Sequence, residues 1–102
     1  MGLSDSNINQ IKDICNIYNV KNLYVFGSVL TAKFDHHSDI DFAVDFNKME
    51  IHKYADNYFN FKISLQKTLS REIDLIEIQS IKNPYFKQSL DSTKLLIYGT
   101  GN

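Results

Sequence analysis

A Gly27-Ser28 pair, ten intervening residues (Val29 to Ser38), and then Asp39 and Asp41 flanking one isoleucine form the part of this chain best suited to chemistry. The glycine lets backbone approach a phosphate closely, and the serine offers a hydroxyl and an N–H. The aspartates are hard oxygen ligands of the kind Mg²⁺ takes. Asp74 adds a third carboxylate within the apolar run Glu72-Ile-Asp-Leu-Ile-Glu-Ile78. A carboxylate there is costly if buried unless it is paired or metal-bound, so it stands out. Together these groups suit a two-metal, in-line displacement at phosphorus on a nucleoside triphosphate, with pyrophosphate leaving. Asp39 and Asp41 would hold two Mg²⁺ ions, and Asp74 would complete the second site and help accept the proton of the attacking hydroxyl. Three convergent carboxylates repel one another without cations, so the arrangement implies a metal requirement.

The elements that must position these groups can be read from the pattern. Asn22-Leu-Tyr-Val-Phe26 is rich in strand formers and runs into a turn at Gly27. Val29 to Lys33 suits a short helix before the polar loop Asp35-His-His-Ser38. Residues 39–46 alternate cleanly, with Ile40, Phe42, Val44 and Phe46 on one face and Asp39, Asp41, Ala43 and Asp45 on the other. That places both motif aspartates on the same side, roughly 6–7 Å apart along the strand. Glu72–Ile78 reads as a third strand. Helices are expected from Ser4 or Asp5 through Tyr18 (Ile8, Ile11, Cys15, Tyr18), over Ile51–Ser70 (Tyr54, Tyr58, Phe61, Leu65, Leu69), and from Asn83-Pro84 onward (Phe86, Leu90). The periodic positions are expected to be core. Strands alternating with helices indicate an α/β domain.

The 102 residues provide one small domain, taken as 1–102, with a single core. A net charge of −1 leaves no electrostatic footprint for nucleic acid, so any polyanion is expected to be cation-bridged and direct nucleic-acid binding is not expected. Cys15 as the sole cysteine excludes an intrachain disulfide and suits a reducing compartment; it reads as a buried apolar residue. No apolar run reaches the ~20 residues of a membrane span, and the first residues lack a secretory pattern. Gly2 and Ser6 match a myristoylation pattern too short to carry weight. A cytoplasmic location without a membrane is the expectation.

Each feature alone has an ordinary explanation. Gly-Ser pairs make turns, Asp-x-Asp lies at solvated edges, and Asp74 could pair with Arg71 or Lys82. His36 and His37 lack further ligands at zinc spacing and read as loop residues, while Lys33 and Lys48 read as solvated. The combination, in this strand order, is far more specific. It resembles the minimal nucleotidyltransferases of the DNA polymerase β superfamily. Arg71-Glu-Ile-Asp-Leu-Ile-Glu77 resembles that family's third-carboxylate strand, and the segment ending Leu95-Leu-Ile-Tyr98 its C-terminal helix and tail. The resemblance implies a nucleotidyltransferase fold, a small mixed sheet of three to five strands with about four helices. It further implies Mg²⁺-dependent transfer of a nucleoside monophosphate, AMP from ATP, to a hydroxyl. On that match Gly27 and Ser28 contact the nucleotide, and Asp39, Asp41 and Asp74 are the catalytic metal ligands for two Mg²⁺ ions.

Members this short are similar to the antitoxin halves of toxin–antitoxin pairs whose toxin is a HEPN-domain ribonuclease. That implies a partner of this type and a tyrosine hydroxyl on it as acceptor; homo-oligomerisation is left open. The chain departs from the family pattern at Val29, Leu30 and Thr31, where an arginine is common. Compensation would fall to Lys33, His36, His37 or the metals. The alternative is a catalytically weak or inactive module that neutralises a partner toxin by contact, using aromatics such as Tyr54, Tyr58, Tyr85 and Phe86.

Overall fold

The computed structural model describes residues 2–31, 35 and 38–101. Four strands form one mixed sheet: β1 (Val20–Phe26), β2 (Ile40–Phe46), β3 (Ile73–Glu77) and β4 (Leu95–Tyr98), in the order β3-β2-β1-β4. β1 runs antiparallel to both β2 and β4, whereas β2 and β3 are parallel. Three α-helices accompany them, α1 (Asp5–Ile17), α2 (Ile51–Leu69) and α3 (Pro84–Thr93). A parallel pair needs a long crossover, and α2 supplies it between β2 and β3.

The alternation along β2 decides the layers. Ile40, Phe42, Val44 and Phe46 are buried with Leu23 and Val25 of β1 against Ile11 and Cys15 of α1 and Phe61 and Leu65 of α2. Complete burial of a residue such as Phe61 contributes about 1.5–3 kcal/mol. On the other face Tyr24, Ala43 and Leu90 form a smaller cluster beneath α3, joined by Phe26, Ile76 and Ile81. Asp41 and Asp74 alternate onto this second face. It is less completely covered, and an ionisable cluster there remains within reach of solvent.

Local chemistry sets the ends of the helices. Ser4 caps α1 in a reciprocal box with Asn7, and Asn83 accepts from the N–H groups of Tyr85 and Phe86 just ahead of Pro84. α2 ends at Ser70 in the left-handed conformation, φ 52°. The stripe expected on α2 is core at Phe61 and Leu65, while Tyr54 and Tyr58 are half-buried, their hydroxyls donating to Glu77 Oε2 and to Leu75 O.

Several expectations need correction. Residues 27–30 form a single 3-10 turn, and the remainder of the expected helix, Ala32 and Lys33, lies outside the described residues, as do His36 and His37. There are three α-helices among the described residues rather than about four. The tail Leu95–Tyr98 is a strand, paired with β1 through Val25↔Leu95 and Tyr24↔Leu96. Only Leu90 of the α3 pair is fully core; Phe86 is 42% exposed and meets Phe26 edge-on, with ring centroids 6.3 Å apart.

Candidate active site

The end of β1 and the starts of β2 and β3 meet at one edge of the sheet, and the ladder register brings the motif together there. Asp41 lies opposite Phe26 on β1 and opposite Asp74 on β3. Neighbouring strands are about 4.8 Å apart, so two carboxylates face each other across one ladder step. Asp39 lies one residue before β2 instead of inside it and is exposed. Asp74 is exposed as well, so the cost that burial would carry in this apolar strand does not arise. Alternation explains this: Ile73 and Leu75 take the core face and leave Asp74 the open one.

Electrostatics record how close the three lie. Burial, then the charge of Asp74 and then that of Asp39, hold the Asp41 carboxyl above the usual carboxylate range. Burial contributes most to the shift, and the two neighbouring carboxylates add to it. Tyr58 is also pushed up, by burial first, then Glu77 and then Asp74.

Gly27 sits directly over this cluster. Its φ is +76°, and a Cβ built there would fall inside the van der Waals envelope of Asp41 Oδ2 and 3.3 Å from Asp41 Cγ. Conformation and space therefore both require glycine. The following turn is closed by Thr31, whose N–H and hydroxyl each donate to Ser28 O at 2.9 Å. That engages the Ser28 carbonyl inside the turn, and Ser28 itself is half-buried. Two cavities adjoin the motif: one of about 430 Å³ lined by Gly27, Leu30, Thr31 and Thr93, and one of about 520 Å³ whose lining includes Asp39, Lys67 and Arg71.

The donor set fits Mg²⁺ bound together with a nucleotide. Among the described residues no three His, Cys, Asp or Glu side chains converge tightly enough to cage an ion unaided. Mg²⁺ is ordinarily held by one or two carboxylates plus substrate phosphates, and Asp39, Asp41 and Asp74 could supply the former, with Gly27 making room for the Asp41 carboxylate. Sequence reasoning missed the contribution of Arg71, read there as a partner for Asp74. Its Nη1 donates to Asp35 O at 2.7 Å and Ser38 O at 2.8 Å, on the approach to Asp39. The signal available was an arginine placed immediately before the acidic strand.

Comparison with known proteins identifies the family and the fold. A protein of Methanocaldococcus jannaschii assigned by name as a protein adenylyltransferase is 36% identical over 81 residues, 79% of this chain and 78% of the relative. Among solved structures, a toxin–antitoxin complex with AMP-PNP superposes with a TM-score of 0.72 at 22% identity, over 92% of this chain and 74% of that one. A complex of a tri-AMPylated Shewanella oneidensis HEPN toxin with its MNT antitoxin gives a TM-score of 0.67 at 21% identity, over 96% of this chain and 74% of that one. These two likenesses show the nucleotidyltransferase fold. The family described as Polymerase beta, Nucleotidyltransferase matches residues 9–101, nearly the whole chain, and the protein belongs to that nucleotidyltransferase family.

Proposed function

We propose that this nucleotidyltransferase moves AMP from ATP to a tyrosine hydroxyl of a HEPN-type toxin and so acts as its antitoxin. The observation that carries the reading is the acidic cluster: Asp41 with its carboxyl held above the usual range, Asp74 across the ladder, Asp39 close enough to add to that shift, and Gly27 packed against Asp41. Mg²⁺ would supply charge neutralisation on the triphosphate and activation of the attacking hydroxyl. Gly27 lets the Asp41 carboxylate pack against the turn, and the Ser28 hydroxyl and N–H in that turn would contact the phosphates. Asp39 and Asp41 would hold the cation, which would neutralise and orient the triphosphate. Asp74 is exposed on β3 and can take up the proton of an acceptor hydroxyl. The kinship with an assigned protein adenylyltransferase and the fold shared with an MNT antitoxin support this choice of donor, acceptor and partner.

The test incubates the protein with α-labelled ATP, Mg²⁺ and a HEPN protein encoded beside it. Label should appear on a tyrosine of that protein, and Asp39→Ala or Asp41→Ala should lower the rate by several kcal/mol of transition-state stabilisation, on the order of 10³-fold or more. Absence of label, or label undiminished in both variants, would overturn the proposal. Suppression of the toxin by the unlabelling variants would instead support neutralisation by contact.

A further inference from the structure

Asp39 lies just outside the sheet, yet both peptide groups that flank its Cα are held, and by consecutive residues. On one side, the N–H of Ile40 donates to Glu72 O at 3.2 Å. On the other, the carbonyl of Ser38 accepts from Arg71 Nη1 at 2.8 Å. The same nitrogen reaches Asp35 O at 2.7 Å, so it spans a small turn in which Ser38 N–H donates to Asp35 O at 3.1 Å and Asp35 N–H to Ser38 Oγ at 3.2 Å. A hydrogen bond on each of the two peptides that flank a Cα restrains its φ and ψ, and with them the direction of its Cβ. The segment 71–74 therefore does two things: its last residue supplies one carboxylate, and its first two aim another.

We propose that Arg71 is a positioning residue for Asp39: by gripping the Ser38 and Asp35 carbonyls it turns the Asp39 carboxylate toward Asp41 and sets the affinity of the site for a nucleotide-associated divalent cation. The inference rests on Asp39 being a metal ligand, as in the preceding section. Arginine suits the task because one terminal nitrogen carries two hydrogens in a fixed plane, one for each carbonyl. A lysine reaches less far and without that plane. The guanidinium is half-buried and lines the cavity of about 520 Å³ that also contains Asp39 and Ser70. Truncating Arg71 would enlarge that cavity and leave an opening of the right chemistry for a free guanidinium ion.

The experiment reads Mn²⁺ binding in the presence of AMP-PNP, from the electron paramagnetic resonance of free Mn²⁺, with no acceptor present. Arg71→Ala is expected to weaken Mn²⁺ binding about tenfold, the lower end for loss of a group that orients a ligand. Asp39→Asn weakens it too, and adding Arg71→Ala to that variant should cost nothing more, because the two act through one carboxylate. Arg71→Lys should recover part of the affinity. Guanidinium at tens of millimolar, against NaCl of equal ionic strength, should restore the alanine variant while leaving the unaltered protein unmoved. Unchanged Mn²⁺ affinity in Arg71→Ala, or an equal loss with and without Asp39, would overturn the proposal. Should the alanine variant not fold, the lysine variant carries the same test, with retained affinity refuting it. Because no acceptor enters this assay, a missing protein substrate would be seen only as absent tyrosine label, and the two failures are distinct.

Discussion

Replacing Gly27 by alanine tests the closest packing in the site, and its cost can be worked from two separable causes. A non-glycine residue at φ +76° carries roughly 1–2 kcal/mol of left-handed penalty. The added methyl also overlaps Asp41 Oδ2 and lies 3.3 Å from Asp41 Cγ, overpacking that costs about 1–3 kcal/mol. Together Gly27→Ala should destabilise the fold by about 2–5 kcal/mol, a large part of the roughly 5–15 kcal/mol available to a small domain. The second cause vanishes if Asp41 is shortened, since the nearest remaining atom, the Cβ at 41, would be 3.6 Å away, ordinary contact. In an Asp41→Ala background the same glycine substitution should cost only about 1–2 kcal/mol. Urea unfolding followed by far-UV circular dichroism measures all four proteins, with equal m-values as the check that the denatured state is unchanged. Equal losses in the two backgrounds, or less than about 1 kcal/mol in the parent, would refute the packing described here.

Two further outcomes follow from the titrating groups. The Asp41 carboxyl is raised in the fold, so its ionised form is penalised there: the penalty is absent below the ordinary value of 3.8 and grows as pH rises through the folded value. Asp41→Asn should therefore raise the urea midpoint of the ligand-free protein at pH 7 and leave it nearly unchanged at pH 3; an equal gain at both would contradict the charge argument. Burial pushes the Cys15 thiol up to about 12, and its side chain has no exposure. An aromatic disulfide reagent should label it only through unfolding, far more slowly in buffer than in denaturant, and burst labelling of the native protein would place it elsewhere.

Much of the fold was legible because the β2 alternation is unambiguous. Apolar residues at 40, 42, 44 and 46 leave one face for the core, and Asp41 must then take the other. Asn83-Pro84 and Ser4 likewise carry their caps in local chemistry. β4 was not legible, because Leu95–Tyr98 has no alternation and becomes a strand only by pairing with the distant β1, Val25 opposite Leu95. The spacing of the Gly-Ser and Asp-x-Asp groups pointed to one sheet edge, but the opposition of Asp41 and Asp74 is a matter of register between strands joined by α2. The grip of Arg71 is still less local: its acceptors are backbone carbonyls, which carry no side-chain signature. The exposure of Asp74 was undecided in the sequence because a short apolar strand looks the same whether one face or both are covered.

Asp41 has Phe26 across one ladder and Asp74 across the other, and these neighbours are acquired by routes of different difficulty. Closing the β1–β2 pair spans residues 27–39, whereas docking β3 beside β2 spans residues 47–72 and requires the α2 crossover. Doubling a loop adds only about 0.6 kcal/mol of closure entropy, so chain length alone hardly separates the two steps. The charges do. The antiparallel pair sets an aspartate against a phenylalanine, while the parallel pair sets it against a second aspartate, so the unfavourable electrostatic work is concentrated in the arrival of β3. The pairing of Asp41 with Asp74 thus exists only once β3 is docked beside β2, and a chain with β1 and β2 alone carries just one of the two facing carboxylates.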